Sequence, residues 1–257
     1  MFNTTIATQI YAKICFEATN SQKKIIENLS EYLSDDDFSR IFVLNGFAGT
    51  GKTTLIAALV AALKELRIKP VLLAPTGRAA KVLARYCGEQ ALTIHKRIYR
   101  QRTNADYESK FSLDFNREQG AVFIVDEASM LSDSTGDGAL FGSGSLLEDL
   151  VSYVRSGRSC RLILVGDSAQ LPPVGCDFSP ALDPATVSRY GEVVYGLMDE
   201  VVRQQMQSGI LFNATLVRCM LENGLYEIPR FRLGFPDVER IEGGEFLEKL
   251  QDCYALY

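Results

Sequence analysis

Tryptophan is absent from this 257-residue chain, histidine occurs once, and no apolar run reaches the roughly 20 residues that a membrane-spanning helix needs. Lys13, Glu17, Lys23, Lys24 and Glu27 interrupt the apolar positions near the start, which excludes a secretory signal there. The cysteines, at 15, 87, 160, 176, 219 and 253, include no closely spaced pair, so neither a zinc site nor a thioredoxin-like couple is encoded. A chain of this size needs no disulfide framework, and the cysteines are expected to be small buried hydrophobes. The net charge of −5 speaks against a protein that coats nucleic acid indiscriminately, although it leaves room for a local basic stripe. These features describe a globular protein of the cytoplasm with no membrane partner, free of internal repeats and low-complexity segments.

The 47% of hydrophobic residues supplies a core for one large domain or two modest ones. Short β-rich runs at Ile41 to Leu44, Val71 to Ala74, Val122 to Val125, Leu162 to Val165 and Val193 to Tyr195 alternate with helical stretches. Thr53 to Leu66 is apolar nearly all round, as a crossover helix packed on a parallel sheet has to be. The expected fold class is therefore α/β with a mainly parallel sheet flanked by helices. Two segments break the pattern: residues 100–119, read as a small hairpin insert, and Ser132 to Ser145, a loop rich in Gly, Ser and Asp that is expected to be flexible. Residues 1–196 are predicted to form one domain. Residues 197–257 form the start of a second, with a helix near Asp199 to Asn223 and another near Glu245 to Tyr254.

Chemistry enters at Gly46-Phe47-Ala48-Gly49-Thr50-Gly51-Lys52-Thr53, which has the G-x-x-x-x-G-K-[ST] spacing between a strand and a helix. Its glycines turn backbone N–H groups toward phosphate oxygens, and the helix that follows adds its positive dipole end. Lys52 would reach the β and γ phosphates of ATP and the Thr53 hydroxyl would ligate Mg²⁺; Thr54 adds a further contact to the nucleotide. The strand Val122 to Val125 ends in Asp126-Glu127-Ala128-Ser129, two carboxylates at the sheet edge where the phosphates lie. Their jobs differ: Asp126 would hold Mg²⁺ and Glu127 would position the attacking water. A further strand ends in Gly166-Asp167-Ser168-Ala169-Gln170-Leu171-Pro172-Pro173-Val174, where the neutral amide of Gln170 is suited to sense the γ phosphate.

Taken in order, the phosphate loop, Ala74-Pro75-Thr76-Gly77-Arg78-Ala79-Ala80-Lys81, Thr93-Ile94-His95-Lys96, Asp126 to Ser129 and Gly166 to Val174 resemble the successive motifs of the RecD-like superfamily-one DNA helicases. The resemblance covers residues 20 to about 205. It implies a RecA-like P-loop motor domain, single-stranded DNA as the track, 5′ to 3′ movement and service in DNA repair or recombination, with subunits of a nuclease-helicase complex as possible partners. It also implies that Gln22 contacts the adenine edge and that Arg203, in Asp199-Glu200-Val201-Val202-Arg203-Gln204-Gln205, is an arginine finger on the γ phosphate. DNA contacts fall on Pro75, Thr76, Arg78, Lys81, Thr93, His95 and Lys96.

The residues themselves add one independent pointer to nucleic acid. Arg78, Lys81, Arg85, Lys96, Arg97, Arg100 and Arg102 share a stretch whose single acid is Glu89, a local basic stripe. By itself such a run leaves a solvated helix face and a backbone-phosphate contact equally open. His95 has no acid-base role to play, and its interest lies in the element that contains it. Nothing after residue 205 matches the last two motifs of the family, so the chain is expected to be a fragment of a longer protein or else a degenerate relative, one that binds nucleotide, hydrolyses it slowly and does not unwind duplex. The competing expectation is a nucleotide-dependent protein switch that never tracks on DNA. A small-molecule kinase would share the phosphate loop and leave Thr93 to Lys96 and Gly166 to Val174 unexplained.

Overall fold

The computed structural model describes residues 2–14, 17–103, 109–133, 141–200, 202 and 208–255. The chain divides into two compact units, Met1–Glu200 and Val201–Tyr257. In the first, helices α1 (Phe2–Lys13) and α2 (Asn20–Ser34) precede strand β1 (Ile41–Gly46), helix α3 (Lys52–Glu65), strand β2 (Pro70–Ala74) and helix α4 (Gly77–Cys87). Strand β3 (Ala91–Thr93), the short helix α5 (Ile94–Ile98) and strands β4 (Tyr99–Thr103) and β5 (Ser109–Leu113) follow. Strand β6 (Val122–Val125), helix α6 (Leu146–Ser156), strand β7 (Arg161–Gly166), helix α7 (Pro184–Val187) and strand β8 (Val193–Met198) complete the unit.

Six strands form one sheet in the order β3-β2-β6-β7-β1-β8, and every pairing in it is parallel. Parallel pairing forces crossovers, which is why helices lie on both faces and why the central strands are apolar on both sides. The two-residue period of a strand divides their side chains between two cores. Phe42, Leu44, Ile124, Ile163 and Val165 pack with α1, α2 and α3, whereas Ile41, Val43, Phe123, Val125, Leu162 and Leu164 pack with Leu147, Leu150 and Val154 of α6. The fold is RecA-like in layout: each strand of the centre ends at one edge of the sheet, and the loops leaving that edge carry the motifs.

The insert is an antiparallel hairpin, β4 against β5, with Arg100 opposite Ser112 and Gln101 opposite Phe111. Its root is aromatic. Phe111 stacks on Phe141 at 4.5 Å between centroids, and Phe141 also meets His95 edge-on at 5.1 Å. The far end of the Ser132 to Ser145 loop is therefore anchored: Gly142 N–H donates to Phe111 O at 2.9 Å and Ser143 N–H to the Asp149 carboxylate at 3.0 Å. Residues 134–140 of that loop lie outside the described residues.

Among the described cysteines only Cys160 is buried; Cys87 and Cys176 are half-buried and Cys219 and Cys253 exposed, so the expectation of uniformly buried cysteines fails. Cys15 lies outside the described residues. In the second unit, α8 (Gly209–Glu222) is shorter than the helix expected over Asp199 to Asn223. Ser208 caps it by accepting Leu211 N–H, and the Asp237 carboxylate takes the Gly209 N–H at 2.7 Å. With those first amides committed to side chains, the helix has a defined start at Gly209. Helix α9 (Phe246–Ala255) follows after a loop. Among the described residues no helix is long and apolar enough to cross a membrane.

Candidate active site

β1 delivers the chain into Phe47 to Gly51 and then α3. Gly49 (φ 77°) and Gly51 (φ 87°) adopt left-handed backbone that other residues rarely tolerate, and Gly51 is the N-cap of α3. Gly46 is required by proximity: a Cβ there would stand 2.9 Å from Lys52 Cγ and 3.0 Å from Met198 Cβ. The Lys52 ammonium lies inside the loop, donating to Phe47 O at 3.0 Å and to Gly46 O, with an Asp167 carboxylate oxygen at 3.7 Å. Burial holds its pKa below the ordinary lysine value, against the opposing pull of Asp167, Glu127 and Asp126. Thr50 is fully buried and its hydroxyl closes the loop on Phe47 O at 2.8 Å. Ala48 and Thr54 are exposed and Thr53 is half-buried at the start of α3.

Gln22 is 1% exposed, in α2, and its side chain is tied at both ends. Its carbonyl accepts Thr19 N–H at 3.0 Å in a capping box, and its amide N–H donates to Thr50 O at 2.9 Å. The structure thus sets Gln22 against the phosphate loop as a brace.

The carboxylates converge from neighbouring strands. Asp126 immediately follows β6, and its carboxylate accepts Glu127 N–H at 3.0 Å. Glu127 has φ 53°, a left-handed conformation that costs a non-glycine residue on the order of 1 kcal/mol. Burial raises the pKa of Asp126, with Lys52 and the Glu127 N–H opposing. Burial also raises that of Glu127, reinforced by Asp126 and Asp167 and opposed by Lys52 and Gln170. Asp167, after β7, is buried and accepts Ala169 N–H at 2.9 Å. The Gln170 carbonyl oxygen lies 3.5 Å from the buried Ser129 hydroxyl, so the segments after β6 and β7 touch. One ammonium lies in the field of three carboxylates, Asp167 at 3.7 Å and Glu127 and Asp126 through charge interaction alone.

Thr76 and Thr93 are helix N-caps, accepting Ala79 N–H and Lys96 N–H at 3.2 Å each. Pro75 and His95 are half-buried, and burial holds the imidazole pKa below its ordinary value. The basic stripe splits in two. Arg78, Lys81, Arg85 and Lys96 are exposed, and their side chains have no ion-pair partner among the described residues. Arg97 instead pairs with Glu118 at 2.6 Å and Arg100 with Asp114 at 2.8 Å, so both are committed within the fold. The side chain of Arg102 and all of Arg203 lie outside the described residues.

Asp167 and Asn45 went unassigned in the sequence. Asp167 stood inside a motif already singled out, and its link to Lys52 is a contact across the sheet that spacing does not reveal. Asn45 had a signal: a polar side chain closing an apolar strand run just before the phosphate loop.

A family model described as AAA domain matches residues 17–211. The chain is 30% identical over 154 residues to the "ATP-dependent RecD2 DNA helicase" of Deinococcus radiodurans, covering 60% of this chain and 19% of that protein. It is 33% identical over 201 residues to the "RecBCD enzyme subunit RecD" of Mycobacterium tuberculosis, covering 63% of this chain and 32% of that one. The chain thus spans at most about a third of these relatives' length. A crystal structure of a Pif1 helicase from Bacteroides with ADP-AlF3 and single-stranded DNA superposes with a TM-score of 0.52 at 18% identity, over 93% of this chain and 57% of the other. That likeness concerns the fold.

Proposed function

The chain belongs to the AAA domain family, and from that premise we propose that it is the ATP-hydrolysing part of a RecD-like DNA helicase motor. The observation that carries the reading is the convergence of Lys52, Asp126, Glu127, Asp167 and Gln170 at one edge of a parallel sheet. The relatives named for DNA helicase activity and for RecD supply the direction from ATPase to motor.

The residues fit nucleotide and Mg²⁺. Left-handed glycines and the start of a 14-residue helix form a phosphate cradle, and Thr53 and Asp126 offer the hard oxygen donors that Mg²⁺ takes. Bound Mg²⁺-nucleotide would supply the phosphoryl group and a cation whose charge offsets that of the phosphates. Lys52 exchanges its loop carbonyls for phosphate oxygens, and its charge offsets that of the transferring group. Glu127 accepts the proton of the attacking water, and its raised pKa makes it a stronger base than an exposed glutamate. Gln170 lies between the carboxylates and Ser129, where its amide reports whether the γ phosphate is attached. Gln22 braces the phosphate loop and, in this reading, borders the adenine; Arg203 supplies a further charge to the γ phosphate. Single-stranded DNA would run along Pro75, Thr76, Thr93, His95 and the free cations Arg78, Lys81 and Lys96, moving 5′ to 3′. The domain division at 196 and 197, the DNA-repair role and partnership with nuclease-helicase subunits belong to the same reading.

Oligonucleotide anisotropy across a salt series tests the DNA arm. Affinity should fall steeply with salt, and Arg78→Ala, Lys81→Ala and Lys96→Ala should each reduce the logarithmic slope by about 1. Salt-insensitive binding, or no binding, would favour the nucleotide-dependent protein switch, to which the pairing of Arg97 and Arg100 with acids lends support.

A further inference from the structure

Asn45 is the one polar residue of the buried strand β1, 5% exposed, and its amide is almost fully used. The carbonyl oxygen accepts Ser168 N–H at 3.0 Å. The amide nitrogen donates to Ser168 Oγ at 2.8 Å and to Tyr195 Oη at 3.0 Å. Because a backbone N–H must meet an oxygen, this set of partners admits only one orientation of the amide. Ser168 is exposed and Tyr195 is 39% exposed, so water could satisfy both hydroxyls; the bonds are not required to keep buried groups paired at that end.

The bonds reach the turn after β7 that presents Asp167 and Gln170. Within that turn Asp167 accepts Ala169 N–H, and Gln170 N–H donates to Asp167 O at 3.1 Å; both ties are local. Two of the contacts that its functional groups make with the rest of the site are long, 3.7 Å from Asp167 to Lys52 and 3.5 Å from Gln170 to Ser129, and Gln170 also hydrogen-bonds the Glu127 side chain. Short side-chain bonds from the sheet to the turn come from Asn45, at 2.8 and 3.0 Å to Ser168. Asn45 in turn immediately precedes Gly46, whose carbonyl accepts the Lys52 ammonium. One side chain therefore registers the entry of the phosphate loop against the segment that carries Gln170.

We propose that Asn45 is a positioning residue for ATP hydrolysis, holding Gln170 in register with the phosphate loop through Ser168, with the Tyr195 hydroxyl fixing the orientation of the amide. This rests on the ATPase reading of the site and extends it to a residue outside its motifs. Asn45 makes no contact with the reacting atoms; it acts through Gln170. A short amide bridge suits the task because a displacement of a fraction of an ångström at Gln170 is enough to spoil in-line geometry.

The test uses the full chain in two measurements. In single-turnover ATP hydrolysis, Asn45→Ala should slow the chemical step roughly tenfold and Tyr195→Phe about two- to threefold, with nucleotide Kd changing less than about threefold in either. Asn45→Ala combined with Gln170→Ala should be no slower than Gln170→Ala alone, since one acts through the other. In hydrogen exchange of the nucleotide-free protein, the amides of Ser168 through Gln170 should exchange faster in Asn45→Ala, and modestly faster in Tyr195→Phe, with the remaining strands unchanged. If Asn45→Ala unfolds, Tyr195→Phe carries both readouts. Additive losses, a parallel rise in Kd, or unchanged exchange at Ser168 would overturn the proposal. Should the wild-type chain hydrolyse no ATP, the ATPase reading fails by itself, and the exchange result still decides whether Asn45 positions the turn.

Discussion

The two edges of the central sheet both hold buried charge, and they treat it in opposite ways. At the amino edge, Arg161 is 5% exposed, donates to the Asp37 and Asp35 carbonyls, and lies 4.5 Å from the Phe38 ring centroid and 5.3 Å from that of Tyr32. The Tyr32 hydroxyl donates to Leu162 O at 2.9 Å and accepts Leu162 N–H at 3.1 Å, while Arg40 pairs with Asp35 and with Glu192 at 3.0 Å. Charges there meet opposite charges or carbonyls. At the carboxyl edge three carboxylates crowd one lysine, Glu127 is held in left-handed backbone, and burial raises the pKa of both Asp126 and Glu127. The first arrangement closes the sheet and makes it stable; the second keeps an unbalanced field that a cation and phosphates can complete.

The contrast predicts that mutations at one edge change turnover and mutations at the other change stability. The largest effect is expected at the carboxyl edge. Glu127→Gln should retain nucleotide binding and slow hydrolysis by ~10²–10⁴. Lys52→Ala should weaken binding as well as turnover, with a loss in rate of ~10²-fold or more, measured by nucleotide titration and single-turnover assays. Equal loss of binding in the two would refute the division of labour between them.

Next in size is Arg161→Ala, which leaves carbonyls without their donor and should lower unfolding free energy by about 2–4 kcal/mol while nucleotide Kd stays unchanged. Tyr32→Phe should cost roughly 1–3 kcal/mol, both variants being measured by urea titration, because the Leu162 N–H and carbonyl lose the ring hydroxyl they share. A shifted nucleotide Kd in either variant would erase the distinction between the edges.

Smaller effects follow from pH. The folded protein prefers Glu127 protonated, so its contribution to stability is fully present below the ordinary value of 4.5 and is lost as pH rises through the higher folded pKa. Glu127→Gln should therefore raise the melting temperature at neutral pH and lose that advantage in acid. The acid limb of wild-type turnover should lie above the ordinary glutamate range. His95 behaves oppositely: its depressed pKa gives stability that is present above 6.5 and lost as pH falls through the folded value. As the chain contains a single histidine, its proton resonance should titrate without ambiguity, with a midpoint below 6.5.

Most of the sheet was legible because parallel strands are apolar on both faces and stop at glycine or acid, as β1, β6 and β7 do. The phosphate loop was legible because its glycines answer a local backbone demand. Helix α1 and the edge strand β3 were missed, the first because its helical face is formed by packing Ile6 and Ile10 on α2 and α3, the second because three residues hold no period. The early start assigned to α8 overlooked Asp237, a cap supplied from a loop well downstream. The stripe of seven cations read as one feature until Glu118 and Asp114 came back from later in the chain to take Arg97 and Arg100. Sequence proximity reports which charges are close along the chain, and the fold decides which of them remain free.

We propose that the charge-crowded carboxyl edge drives a DNA-responsive ATPase. Steady-state ATP hydrolysis with and without single-stranded DNA across a salt series, alongside Glu127→Gln, tests this. Slow basal hydrolysis, stimulation by DNA that fades steeply with salt, and no turnover above background in Glu127→Gln are expected. Hydrolysis that ignores DNA at every salt concentration, or that persists in Glu127→Gln, would contradict it.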